Sequence, residues 1–351
     1  MTRTYTIAAL PGDGIGPEVV REALRVAEAA QQKLGGFALE VEEIAIGAGA
    51  YLATGESMSE EAFERIRSKD AILLGAMGMP EVRLPSGVEI APQLDLRERL
   101  ELYAGLRPIR LYHAGHTPLK TQQAGEIDML LVRENTEGMF WSRKGSIQSS
   151  DEEVIDGLRI SRKGSERLFH AAFEQAKKRR GKVTLIDKSN VLPSMAFFRK
   201  VFDEVAEQYP QIETEKIYVD AAALYLVRRP ESFDVLVTEN MFGDILSDLA
   251  AGLIGGMGMA PSGDIGDSHA VFQPSHGSAP DIAGQGVANP SATILSAAMM
   301  LEWLGEAEAA AAINKALEQA MADPANWPRD LGGTRSCAEL GSTVAAFVER
   351  A

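Results

Sequence analysis

The chain has 351 residues, enough for two domains or one large α/β unit, and its 45% apolar content is that of an ordinary globular protein. A net charge of −15 argues against nucleic acid and anionic membrane as partners, and an anionic substrate would require arginines concentrated locally. Cys337 is the only cysteine, so no intrachain disulfide forms and a reducing, cytoplasmic setting is expected; no run reaches transmembrane length without charge, and no signal-peptide core precedes the first strand.

Strands and helices alternate along the chain. Residues 7–10 read as a buried strand and 17–34 as a helix, with Pro17 in its first turn. Between them, Pro11-Gly12-Asp13-Gly14-Ile15-Gly16-Pro17 invites a dinucleotide-fold reading, but Gly-x-Gly-x-Gly is not Gly-x-Gly-x-x-Gly. Glycines making a tight turn explain that spacing at least as well. A strand near 39–46, a helix near 59–69 and a strand at 71–75 follow. The pattern repeats as strand 127–132, helix 162–179, strand 183–187, helix 195–208, strand 233–237 and helix 242–253. Residues 255–285 are rich in Gly, Pro and Ser, and after Asn289-Pro290 the chain is Ala-rich and helical, interrupted at 324–328. This predicts an α/β protein with a largely parallel sheet and no Pro/Ser-rich linker between domains.

The segment Thr238-Glu239-Asn240-Met241-Phe242-Gly243-Asp244-Ile245-Leu246-Ser247-Asp248 is the most informative. It follows a β-branched run and carries Asp244 and Asp248 onto one helix face, where like charges four apart repel. A hard divalent cation between them would remove that penalty. The alternative is that Asp244 favours the helix dipole and Asp248 is solvated.

Arg107, held extended by Pro108, and Arg133, at a strand end, suit bidentate binding of carboxylates, whereas Arg97 alone reads as a surface ion pair with Glu101. Lys188 ends a strand, either solvated or with a pKa lowered beside a metal and arginines so that it takes a proton. Asp220 alone reads as a helix N-cap. The loop His276-Gly277-Ser278-Ala279-Pro280-Asp281-Ile282-Ala283-Gly284 is small enough for backbone amides to approach a ligand; His276 can meet an adenine and Asp281 both ribose hydroxyls, and a plain loop is the alternative.

Together these pieces resemble the metal-dependent β-decarboxylating dehydrogenases, which include isopropylmalate, isocitrate, homoisocitrate and tartrate/D-malate dehydrogenases. The resemblance runs from Leu10-Pro11-Gly12 to Asp330-Leu331-Gly332-Gly333-Thr334 and is most specific at 132–138, 187–190, 240–248 and 276–284. It implies two α/β domains around a central cleft, residues 1–102 plus 255–351 binding NAD without a Rossmann site, and 103–254 carrying the metal ligands and dimer interface. It implies that Arg97, Arg107 and Arg133 hold the malate carboxylates, that Asp220, Asp244 and Asp248 bind Mg²⁺ or Mn²⁺, and that Lys188 is the general base. Lys188 and Asp220 would come from the neighbouring subunit of a homodimer, with 139–150 helping to form it. Ile15, His276, Gly277, Ser278, Ala279, Asp281, Ile282, Asn289 and Asp330 would hold the adenosine half of NAD; Asp281 would repel a 2′-phosphate.

The implied reaction is NAD-dependent oxidative decarboxylation of a 3-substituted (R)-malate such as 3-isopropylmalate. Two positions depart from the family. Phe140 stands in Glu137-Gly138-Met139-Phe140 where relatives carry a tyrosine that helps protonate the enolate. Gln93 and Leu94 stand where isopropylmalate enzymes have two leucines that read the C3 substituent, and an amide there needs a partner. Tartrate or D-malate dehydrogenation, dehydrogenation with impaired decarboxylation, and a non-catalytic regulatory paralogue stay open.

Overall fold

The computed structural model describes residues 2–145 and 147–350. In chain order, β1 (Arg3–Gly12), α1 (Gly16–Leu34), β2 (Phe37–Glu43), α2 (Ala48–Thr54), α3 (Glu60–Arg67), β3 (Ala71–Ala76) and α4 (Pro92–Arg99) come first. Then come β4 (Ala104–Arg110), β5 (Asp128–Glu134), β6 (Gln148–Ser149), β7 (Val154–Ile155), α5 (Arg162–Lys177), β8 (Lys182–Asp187), α6 (Pro193–Ala206), β9 (Glu213–Tyr218), α7 (Val219–Arg228), β10 (Val235–Thr238) and α8 (Asn240–Gly252). The last group is β11 (Pro261–Ile265), β12 (Ala270–Pro274), α9 (Ser291–Trp303), α10 (Ala307–Met321) and α11 (Cys337–Arg350). Among the described residues no helix is long and apolar enough to cross a membrane.

The chain divides into two units: Met1–Leu100 with Gly255–Gly263 and Asp267–Ala351, and Glu101–Ile254 with Asp264–Gly266. In the first, strands run in the order β2-β1-β3-β12, all parallel. Parallel strands covered on both faces read as continuous apolar runs, and β3 is buried at every position. The first and last helices, α1 and α11, pack together: Arg25 Nη1 donates to Ser342 Oγ at 2.8 Å, and a Cβ on Gly341 would lie 2.3 Å from Glu22 Oε2.

In the second unit the order is β4-β5-β10-β8-β9, with β4 antiparallel to β5 and the rest parallel. Its core is an aromatic cluster from α5 and α6. Phe169 meets Phe198 and Phe202 at ring-centroid distances of 4.6 and 5.2 Å, and Phe173 stacks on Tyr209 at 4.7 Å. All four phenylalanines are fully buried. Within 139–150, Met139–Lys144 forms a 3-10 turn, β6 pairs with β7, and Ser146 lies outside the described residues. Trp141, Ile147, Val154 and Ile155 are exposed there.

Candidate active site

The wholly buried strand β10 ends by delivering Glu239, whose carboxylate accepts the N–H groups of Met241 at 3.1 Å and Phe242 at 2.7 Å. That N-cap starts α8 at Asn240 and leaves Asp244 and Asp248 one turn apart on one face. Arg133 is the penultimate residue of β5, paired in register with Thr238. Its Nε and Nη2 donate to Asn240 Oδ1 at 3.1 and 2.7 Å, and Nη1 pairs with Asp244. A Cβ on Gly243 would lie 2.6 Å from Arg133 Cγ, so glycine is what lets this buried arginine lie along the helix.

Loss of water around its carboxyl, and then the neighbouring Asp244 charge, hold Asp248 above the ordinary aspartate range, against the pull of Arg133 and Arg107. Like carboxylates one turn apart on a helix face suit a hard divalent cation. Among the described residues no group of three or more His, Cys, Asp or Glu side chains converges to hold a metal, so within one chain Asp220 does not join the pair.

Arg107 lies in β4 and is 5% exposed. Its Nη1 and Nη2 both donate to Asp264 Oδ1 at 3.1 Å, and Asn135 Nδ2 donates to the same oxygen at 2.9 Å. Sequence reasoning missed Asp264, Asn135 and Asn240. The available signal for Asp264 is a lone acid within a short strand that is otherwise uncharged, since a buried carboxylate needs partners. Phe140 offers Arg133 only a ring, with the guanidinium carbon 5.3 Å from its centroid.

Lys188 follows β8, and its Nζ donates to Asp220 Oδ1 at 2.6 Å and lies 5.7 Å from the Tyr218 ring centroid. The Lys188 hydrogen bond, then one from the backbone, hold Asp220 below the usual aspartate range. Tyr218, not Asp220, is the N-cap of α7, so the capping reading of Asp220 does not describe it. Arg97 in α4 is buried, so the surface ion-pair reading does not describe it either. Gln93 is one turn before it on the same helix, Leu94 is half-buried beside it, and Gln93 Oε1 is buried without a partner.

In the first unit, a cavity of about 400 Å³ is lined by Ile15, His276, Ile282, Asn289 and Asp330, together with Gly258, Val287, Ala288 and Arg329 that sequence reasoning missed. Gly277, Ser278, Ala279 and Asp281 are not among its lining residues. Asn289 Nδ2 donates to Asp330 Oδ2 at 3.1 Å, and His276 Nδ1 lies 2.9 Å from the Gly277 carbonyl while its Nε2 is buried and unpartnered. Burial lowers the His276 pKa, which keeps the ring neutral. Ser278 is structural here: its carbonyl accepts Ile15 N–H at 2.8 Å and its hydroxyl donates to the Gly78 carbonyl. Asp13 completes that frame, accepting Ala48 N–H at 2.9 Å, Gly49 N–H at 2.8 Å and Gly78 N–H at 2.8 Å. Ala279 holds φ at 40°, a left-handed strain beside the cavity.

The isocitrate/isopropylmalate dehydrogenase family profile matches residues 6–344. The chain is 45% identical over 355 residues to a 3-isopropylmalate dehydrogenase of Thermobifida fusca, covering 99% of this chain and 98% of that one. It is 43% identical to a 3-isopropylmalate/3-methylmalate dehydrogenase of Methanocaldococcus jannaschii, covering 98% and 99%. Among solved structures it matches an isocitrate dehydrogenase of Methylococcus capsulatus with TM-score 0.89 and 36% identity over 98% of this chain and 99% of that one. A β-decarboxylating dehydrogenase of Thermococcus kodakarensis matches with TM-score 0.83 and 37% identity, covering 99% and 96%.

Proposed function

Because this chain belongs to the isocitrate/isopropylmalate dehydrogenase family, we propose that it catalyses NAD- and divalent-metal-dependent oxidative decarboxylation of a 3-substituted (R)-malate. The observation that carries this reading is the Asp244–Asp248 face of α8 with buried Arg133 bound to its first turn. In this reading residues 1–102 plus 255–351 bind the dinucleotide, and 103–254 carry the metal ligands and the homodimer contact.

Arg107 and Arg133, with Arg97, take the substrate carboxylates through their planar forks. Lys188 of the partner subunit, as the free amine, removes the C2 hydroxyl proton and becomes the ammonium, and its hydrogen bond to Asp220 holds that nitrogen in place. Asp244 and Asp248, with Asp220 of the partner subunit, would hold Mg²⁺ or Mn²⁺. The cavity bordered by Ile15, His276, Ile282, Asn289 and Asp330 would take the adenosine of NAD, whose edge can meet His276 Nε2. Gly277, Ser278 and Ala279 shape that loop, and Asp281 meets the ribose hydroxyls. When bound, NAD⁺ would accept the C2 hydride and the cation would polarise the C2 oxygens and stabilise the charge left by CO₂ loss.

A second reading, a smaller or more polar C3 substituent as in tartrate or D-malate, is favoured by one observation: the buried, unpartnered Gln93 Oε1. The test is turnover with Mn²⁺, NAD⁺ and a panel of 3-substituted (R)-malates, reading NADH and CO₂ together. The proposal expects both products, abolished by EDTA, with the favoured substituent deciding between the readings. NADH formation that survives EDTA and releases no CO₂ would sink the proposal.

A further inference from the structure

Asp264 has no part in the reading above, yet its carboxylate lies directly on one of the arginines that reading uses. The Asp264 side chain is 1% exposed and that of Arg107 6%. An ion pair so deeply buried gains little stability over apolar residues of the same size, so stability is a weak reason for it to exist. What it does is geometric and electrostatic. Both terminal nitrogens of Arg107 commit an N–H to Asp264 Oδ1, which fixes the guanidinium plane. The same oxygen accepts Asn135 Nδ2, which ties β4 and β5 together and turns the Asn135 amide. The opposed charge also cancels much of what Arg107 offers to an anion.

We propose that Asp264 is a positioning residue that fixes the Arg107 fork and, by neutralising it, sets a deliberately moderate affinity for substrate carboxylates. The inference rests on the reading of Arg107 as a carboxylate-binding residue.

Asp264→Asn keeps volume and an acceptor oxygen but removes the charge. The experiment is calorimetric binding of D-malate across ionic strength to wild type, Asp264→Asn, Asp264→Glu and Arg107→Met. Asp264→Asn is expected to bind about tenfold more tightly with a steeper salt dependence, and to melt at a lower temperature without ligand. Asp264→Glu keeps the charge but displaces the fork, so it is expected to bind more weakly with the wild-type salt slope. If Asp264→Asn binds no more tightly, or if Asp264→Glu matches wild type, the proposal is wrong, and the Glu variant decides alone if the Asn variant does not fold. If wild type does not bind D-malate, or binds it unchanged after Arg107→Met, the reading of Arg107 falls instead.

Discussion

At Phe140, a ring without a hydroxyl faces the Arg133 guanidinium, so no phenol is available at this place to deliver a proton to a carbanion-like carbon. If the proposed decarboxylation occurs, protonation there is left to water or to Lys188. Phe140→Tyr is therefore expected to raise the steady-state rate at which NADH and CO₂ appear together by about a hundredfold, the low end of what one placed acid contributes. Simultaneous NADH and CO₂ measurements check this; an unchanged rate would mean that protonation is not limited here. The same residue scale shows how far sequence spacing carries. Asp244 and Asp248 were legible because a four-residue interval has only one meaning on a helix. Asn240 and Gly243, which seat Arg133, were not: their importance appears only when a side chain from β5 crosses to α8.

At the scale of elements, α2 shows what sequence could not give. It is seven residues long, flanked by Gly47 and Gly55, and has no side-chain cap of its own. Its first N–H groups are satisfied by Asp13, 35 and 36 residues earlier, so the signal that starts the helix is not local. The long helices were legible from their periodicity, because each buries one face; α1 and α5 begin within a residue of where the pattern puts them. Residues 12–16 form a tight turn, the alternative that the glycine spacing left open, but nothing in the sequence marks Asp13 as the acceptor joining the turns after β2 and β3. Through Gly78, Ser278 and Ile15 that acceptor frames the cavity beside His276. Asp13→Asn replaces one acceptor by a donor facing N–H groups. If the cavity takes NAD as proposed, this variant is expected to raise the KM for NAD about tenfold, with kcat at saturating NAD changed less than about threefold, as loss of uniform binding requires. Steady-state kinetics check the split; an equal fall in kcat with KM unchanged would make Asp13 merely structural.

Across the whole molecule, acid sensitivity and the course of folding follow from buried polar groups. His116 is 6% exposed, and burial, then the charge of His113, pushes its pKa down to about 4 from 6.5. The folded state prefers the neutral ring, so the full stability is present above pH 6.5 and is lost as pH falls toward 4, by at most about 3 kcal/mol. Urea unfolding of His116→Gln is expected to show a shallower decline than wild type over that interval; parallel curves would contradict it. The Arg107–Asp264 pair bears on order as well as on affinity. The second unit is one continuous stretch, Glu101–Ile254, apart from Asp264–Gly266. Arg107 therefore leaves the ribosome 157 residues ahead of its acid, an interval on the order of ten seconds at ordinary synthesis rates. During that time the Arg107 guanidinium has no Asp264 carboxylate to be buried with, although β4 already has β5 to pair with.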